Sequence, residues 1–116
     1  MSHDHRNIQD FRKERAELMD TMVSMADRNM KRFLALDSGV YEDGALSIKT
    51  KELLGLVAST VLRCDDCINY HLDTCSAEGV TDGELIEAMD IALVVGGSIT
   101  IPHVRRALSM WKDIRR

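Results

Sequence analysis

The sequence has 116 residues, which suits one domain spanning 1–116 and leaves no room for a second. Its net charge of −4 comes from acids and bases mixed along the chain, which excludes the clustered basic surface that nucleic acid requires. No apolar run approaches the roughly 18 residues of a membrane span. The polar N-terminus has no apolar signal core, so the expected setting is cytoplasmic, where three cysteines point to redox chemistry or metal rather than structural disulfides.

Met1–Asn7 is polar and expected to fray, leaving His3 and His5 without a role. From Ile8 one long amphipathic helix is predicted, with Met19, Met22, Val23, Ala26, Met30, Phe33 and Leu34 as an apolar stripe. This stripe reads as core or interface. Asp37–Leu46, with Gly39 and Gly44, reads as a loop, and Ser47 caps a second helix over Ile48–Arg63. A third helical segment covers Cys64–Glu78 and stops at Gly79. Thr81 and Glu84 have capping-box spacing at the start of a fourth helix over Asp82–Val95, ended by Gly96 and Gly97. Pro102 suits the first turn of a last helix that runs to Ile114. No strand alternation is present, so the fold class is all-α, a bundle of five to six helices. The second and fourth helices are apolar on nearly every face. One small bundle has too little matter to cover both, which predicts an obligate homo-oligomer.

The chemistry concentrates in Cys64-Asp65-Asp66-Cys67-Ile68-Asn69-Tyr70-His71. On a helix Cys64, Cys67 and His71 fall within roughly 60° of one another. A helix start favours thiolate, so the expected effect on this pair is a lowered pKa. Residues three apart on a helix have β-carbons about 5–6 Å apart, against about 3.8 Å in a relaxed disulfide, so a bridge here is strained and readily reduced. His71 lies one turn beyond Cys67, placed to take its proton; this makes Cys67 the attacking thiol and Cys64 the resolving one. Glu52 stands in the first turns of an apolar helix. A carboxylate there is either solvated or held inward, and first-turn statistics favour the solvated reading.

Glu52, Cys64-x-x-Cys67 and His71 together resemble the AhpD-like alkylhydroperoxidase core of the carboxymuconolactone decarboxylase family. Lys49-Thr50-Lys51 before the motif, Gly79-Val80-Thr81-Asp82-Gly83-Glu84-Leu85 after it and Gly96-Gly97 extend the likeness over about 45–105. The resemblance implies an AhpD-like helical bundle assembled as a trimer or hexamer. It implies a peroxidase (peroxiredoxin) activity on small hydroperoxides, with Cys67 attacking, Cys64 resolving, Glu52 and His71 relaying protons, and a dithiol or thioredoxin-like electron donor. No metal or organic cofactor is implied. The best-studied family members carry a histidine between the cysteines, where this chain has Asp65 and Asp66. Two carboxylates beside a thiol oppose thiolate formation.

Other readings keep the same fold. A redox sensor or zinc-holding scaffold would use Cys64, Cys67, His71 and Cys75, although one helix presents ligands in a line rather than a tetrahedron. A decarboxylase works without a dithiol, so the intact cysteine pair argues against it. Cys75, Tyr70 and Trp111 read as packing residues, and His103 as structural.

Overall fold

The computed structural model of the chain describes residues 7–116. The expectations for Met1–Arg6, His3 and His5 included, fall outside those residues. Six α-helices follow one another: α1 (Ile8–Met25), α2 (Arg28–Val40), α3 (Ile48–Val61), α4 (Asp65–Ala77), α5 (Asp82–Gly96) and α6 (Ile101–Ile114), with a 3-10 turn at Ser98–Thr100 before α6. Among the described residues there is no strand, as the periodicity predicts.

The long first helix of the sequence reading is two helices. Ala26 leaves the helix with extended geometry, and the Asp27 carboxylate accepts the Met30 N–H at 2.9 Å, starting α2 afresh. A capping carboxylate placed after an apolar run ends one helix as readily as it begins another. The predicted loop is correspondingly shorter, since α2 continues to Val40.

The core forms where α3 crosses α4 and α5, and α6 closes over α4. Leu56, Ile68, Leu72, Val80, Leu85 and Met89 are fully buried there. Helix α1 is clipped onto this core at two points. The Ile8 N–H donates to Asp113 at 2.8 Å, and the Arg12 guanidinium makes a two-pronged contact with Asp73 at 2.6 and 2.9 Å. The capping box of α5 forms as expected, each of Thr81 and Glu84 accepting the other's backbone N–H.

The apolar stripe of α1 and α2 is not core within one chain. No residue of α2 is buried, and α2 has no substantial contact with another helix. Phe33 is 66% exposed, and Met22, Val23 and Met30 also face outward. The second and fourth predicted helices are likewise covered on one side only: Leu54 and Leu62 of the α3 region and Ile91, Val94 and Val95 of α5 are exposed. Among the described residues no helix is long and apolar enough to cross a membrane.

Candidate active site

The turn between α3 and α4 sets the cysteines. Arg63 takes a left-handed conformation (φ 60°), its N–H reaches Thr60 O, and the Cys64 N–H reaches Ser59 O, both at 3.0 Å. This paired closure is a Schellman turn built on an arginine where glycine is usual, at a cost of about 1 kcal/mol. It ends α3 before Arg63, shorter than the sequence predicts, and moves Cys64 out of the next helix. Cys64 is the N-cap of α4, and its Sγ accepts the Cys67 N–H at 3.4 Å. Sulfur here does the work that Ser or Asp oxygen does at most caps.

Cys64 is half-buried and Cys67 exposed, and both are free thiols. The expected lowering of the Cys67 pKa is not found. Partial burial pushes its thiol up to about 11, helped by the hydrogen bond with Cys64 and by the negative charges of Cys64 and Asp66; the backbone hydrogen bond at the helix start offsets only part of this. The two aspartates also differ. Asp65 turns away to α6, where His103 Nδ1 contacts its Oδ1 at 2.7 Å and Arg106 Nε donates to its Oδ2 at 2.9 Å. Its charge is thus matched, and Asp66 is the carboxylate that opposes the Cys67 thiolate. His103, read as structural, ties the start of α4 to α6.

Glu52 is held inward. It is 4% exposed, and its Oε2 receives His71 Nδ1 at 2.7 Å and the Thr74 hydroxyl at 2.6 Å. Burying a carboxylate is tolerable only with donors of this kind. Because a carboxylate accepts, Nδ1 is the donor of this pair, and Nε2 takes no part in it. The first-turn statistics that favoured a solvated Glu52 lose to this pairing across α3 and α4. His71 itself is 8% exposed and lies on the Cys67 side of α4, one turn on.

Three further residues complete the surroundings, none of which stands out in the sequence. Thr74 extends the Glu52–His71 pair. Gly55 gives His71 its room: a Cβ there would stand 2.7 Å from His71 Cε1, 2.9 Å from Nε2 and 2.7 Å from the Tyr41 hydroxyl. Tyr41 packs its ring 5.5 Å from the His71 ring, and burial together with the Glu52 charge raises its pKa. Only the spacing of Gly55 and Thr74 along helices that carry Glu52 and His71 hints at them; Tyr41 has no sequence signal.

Cys75 is fully buried in the core, and burial pushes its thiol up to about 12. Trp111 is buried too, with Nε1 donating to Asp82 at 2.7 Å, and the Arg15 guanidinium lies 4.2 Å over the Tyr70 ring. Among the described residues no three His, Cys, Asp or Glu side chains converge as metal ligands. Beside the motif runs a groove of about 210 Å³ between Asp66 and the α1 residues Phe11, Arg15, Leu18, Met19 and Met22.

This architecture has relatives. Residues 27–110 match the model of the carboxymuconolactone decarboxylase family. A crystal structure of a Thermotoga maritima protein superposes with a TM-score of 0.90 at 58% identity, covering 92% of this chain and 94% of that one. A carboxymuconolactone decarboxylase family protein from Legionella pneumophila, solved in its apo form, gives a TM-score of 0.87 at 25% identity over 94% of this chain and 97% of its own. By sequence, uncharacterized protein 4 of the Paracoccus denitrificans cox locus is 33% identical over 82 residues, 71% of this chain and 74% of that protein. The alkyl hydroperoxide reductase AhpD of Corynebacterium kroppenstedtii is 39% identical over 46 residues, which span 40% of this chain and 26% of that enzyme. A likeness that runs through the helix order and through most of the sequence is one of descent, and this chain belongs to the carboxymuconolactone decarboxylase family.

Proposed function

We propose that the chain is a thiol-dependent peroxidase acting on small hydroperoxides. The observation that carries this reading is the buried Glu52–His71 pair at 2.7 Å, set one helical turn from the second cysteine of a free dithiol. A thiol pushed up to about 11 is a poor nucleophile by itself at neutral pH, so it needs a base. His71 Nε2 fits that need, since Glu52 fixes the tautomer and stabilises the imidazolium that forms.

In the proposed cycle His71 takes the Cys67 proton and the thiolate attacks the terminal peroxide oxygen. An S–O bond forms, the O–O bond breaks, and the departing alkoxide takes a proton to leave as alcohol. Cys67 is then a sulfenic acid, oxidised by two electrons. Cys64 displaces its oxygen as water and forms the Cys64–Cys67 disulfide, which an outside dithiol or thioredoxin-like donor reduces. Similarity to AhpD, and to a second crystal structure from Thermotoga maritima described as a family member with a suggested part in antioxidative response, supports the substrate class. No cofactor enters the scheme. The uncovered apolar faces of α2 and α5 support a homo-oligomer, a trimer or hexamer in this reading, working as one domain per chain in the cytoplasm.

The test is consumption of cumene hydroperoxide by the reduced protein with a dithiol donor. Cys67→Ser is expected to abolish turnover, and Cys64→Ser to stop after one turnover with sulfenic acid trapped on Cys67. Turnover no greater than that of free dithiol would sink the reading, and stoichiometric zinc surviving dialysis would favour a metal-holding scaffold.

A further inference from the structure

The segment between α2 and α3 is built to hold one side chain. Lys51, beside Glu52 on α3, extends its ammonium to Val40 O at 2.7 Å and to Glu42 O at 2.6 Å. These carbonyls flank Tyr41, so the backbone on both sides of the tyrosine is pinned. The Asp43 carboxylate accepts the Ile48 N–H at 2.8 Å, and the Gly44 N–H reaches Leu46 O at 3.0 Å, which steadies the rest of the turn. Such fixing is unexpected after a helix with no buried residue, and it has a visible result: the Tyr41 ring lies against the His71 ring at 5.5 Å.

The hydroxyl is the informative part. Among the described residues it has no hydrogen-bond partner, yet it stands 2.7 Å from the point a Gly55 Cβ would occupy, with His71 Nε2 2.9 Å from that same point. Tyrosine hydroxyl and relay nitrogen therefore close on the same side of Gly55, packed too near it for any Cβ. Nε2 is the nitrogen that Glu52 leaves unbonded. Glu52 and Cys67 both act electrostatically on Tyr41, and burial and Glu52 keep its phenol protonated at neutral pH, a donor.

The geometry points to Tyr41 as a further catalytic residue, whose hydroxyl donates a hydrogen bond to the hydroperoxide oxygen that becomes the alkoxide. This rests on the peroxidase reading above and adds a group to it. As the Cys67 thiolate forms its S–O bond and the O–O bond breaks, negative charge gathers on the leaving oxygen. A fixed donor aimed at that oxygen stabilises the charge without reorganising. Tyr41 keeps its own proton; the proton that completes the alcohol is the one His71 took from Cys67. Lys51 is a positioning residue, acting through the backbone around Tyr41.

Tyr41→Phe removes the hydroxyl and keeps the ring against His71. Two rates separate the roles: kcat/KM for cumene hydroperoxide, and alkylation of Cys67 by iodoacetamide, which needs the thiolate but no oxygen leaving group. The expected result is a fall of about 10- to 100-fold in kcat/KM with alkylation within about twofold of the parent. Equal peroxide rates in parent and Tyr41→Phe would overturn the role. A matching fall in both rates would also overturn it, since Tyr41 would then act on the thiol or the fold. Absence of peroxide consumption by the parent protein would overturn the peroxidase reading itself, and this inference with it.

Discussion

A buried carboxylate and a buried thiol meet opposite fates in this molecule. Glu52 is matched by two donors, whereas Cys75 is surrounded by core and kept neutral. That neutrality has a pH signature. The folded Cys75 thiol is held near 12, against 9.0 for the ordinary group, so on raising pH the unfolded chain loses this proton first. Between those values the folded state binds more protons, and stability falls as pH rises. The contribution is whole below pH 9 and lost toward pH 12. The urea midpoint is expected to drop over this window, and to drop less in Cys75→Ala when each protein is referenced to its own value at neutral pH. Equal drops would mean that other groups govern alkaline unfolding. The packing role of Cys75 and Trp111 was legible from residue type alone. The Cys67 pKa was not: spacing shows a helix start but not the desolvation and neighbouring charge that outweigh it.

At the scale of elements, the helix starts were the readable features. Ser47, Thr81 and Pro102 mark α3, α5 and α6 because capping is local chemistry written within four residues. Two ends were hidden for equally local reasons. Asp27 caps α2 in mid-stripe, where apolar periodicity continues across the break. The α3 terminus uses Arg63 at a left-handed position, so no glycine announces it. Of the contacts between elements only the Glu52–His71 pair was legible, through the family resemblance, and the Asp65–His103–Arg106 cluster lay beyond the sequence. This cluster fastens the first turn of α4, which carries the dithiol, to α6. These side chains are partly exposed, which keeps such an interaction to about 0.5–1 kcal/mol. Asp65→Ala is expected to lower urea stability by that amount and to speed amide exchange at Cys67 and Ile68. Unchanged exchange there would show that the fastening is idle.

For the whole molecule, the surplus of apolar helix surface was visible in the sequence, and the fold gives it a location. It gathers on α2 and on the outer face of α5, where Val94 is 86% exposed. Sedimentation velocity is expected to show the parent as a trimer or hexamer and Val94→Glu as a smaller species with retained helicity. A parent that sediments as a monomer at micromolar concentration would remove this proposal. The sequence could not reveal which faces pair, because each apolar helix reads alike from every side until a fold covers one of them.

The clip between Arg12 and Asp73 has a consequence for how such a protein changes in descent. The dithiol, Glu52, His71 and Tyr41 all lie within the matched span 27–110, while α1 lies ahead of it. Yet α1 supplies most of the groove that runs past Asp66. The residues of the proposed site and those that line most of this groove are thus written in different stretches of the sequence. Substitutions along α1 would recut the groove residue by residue and leave the dithiol, Glu52 and His71 in place.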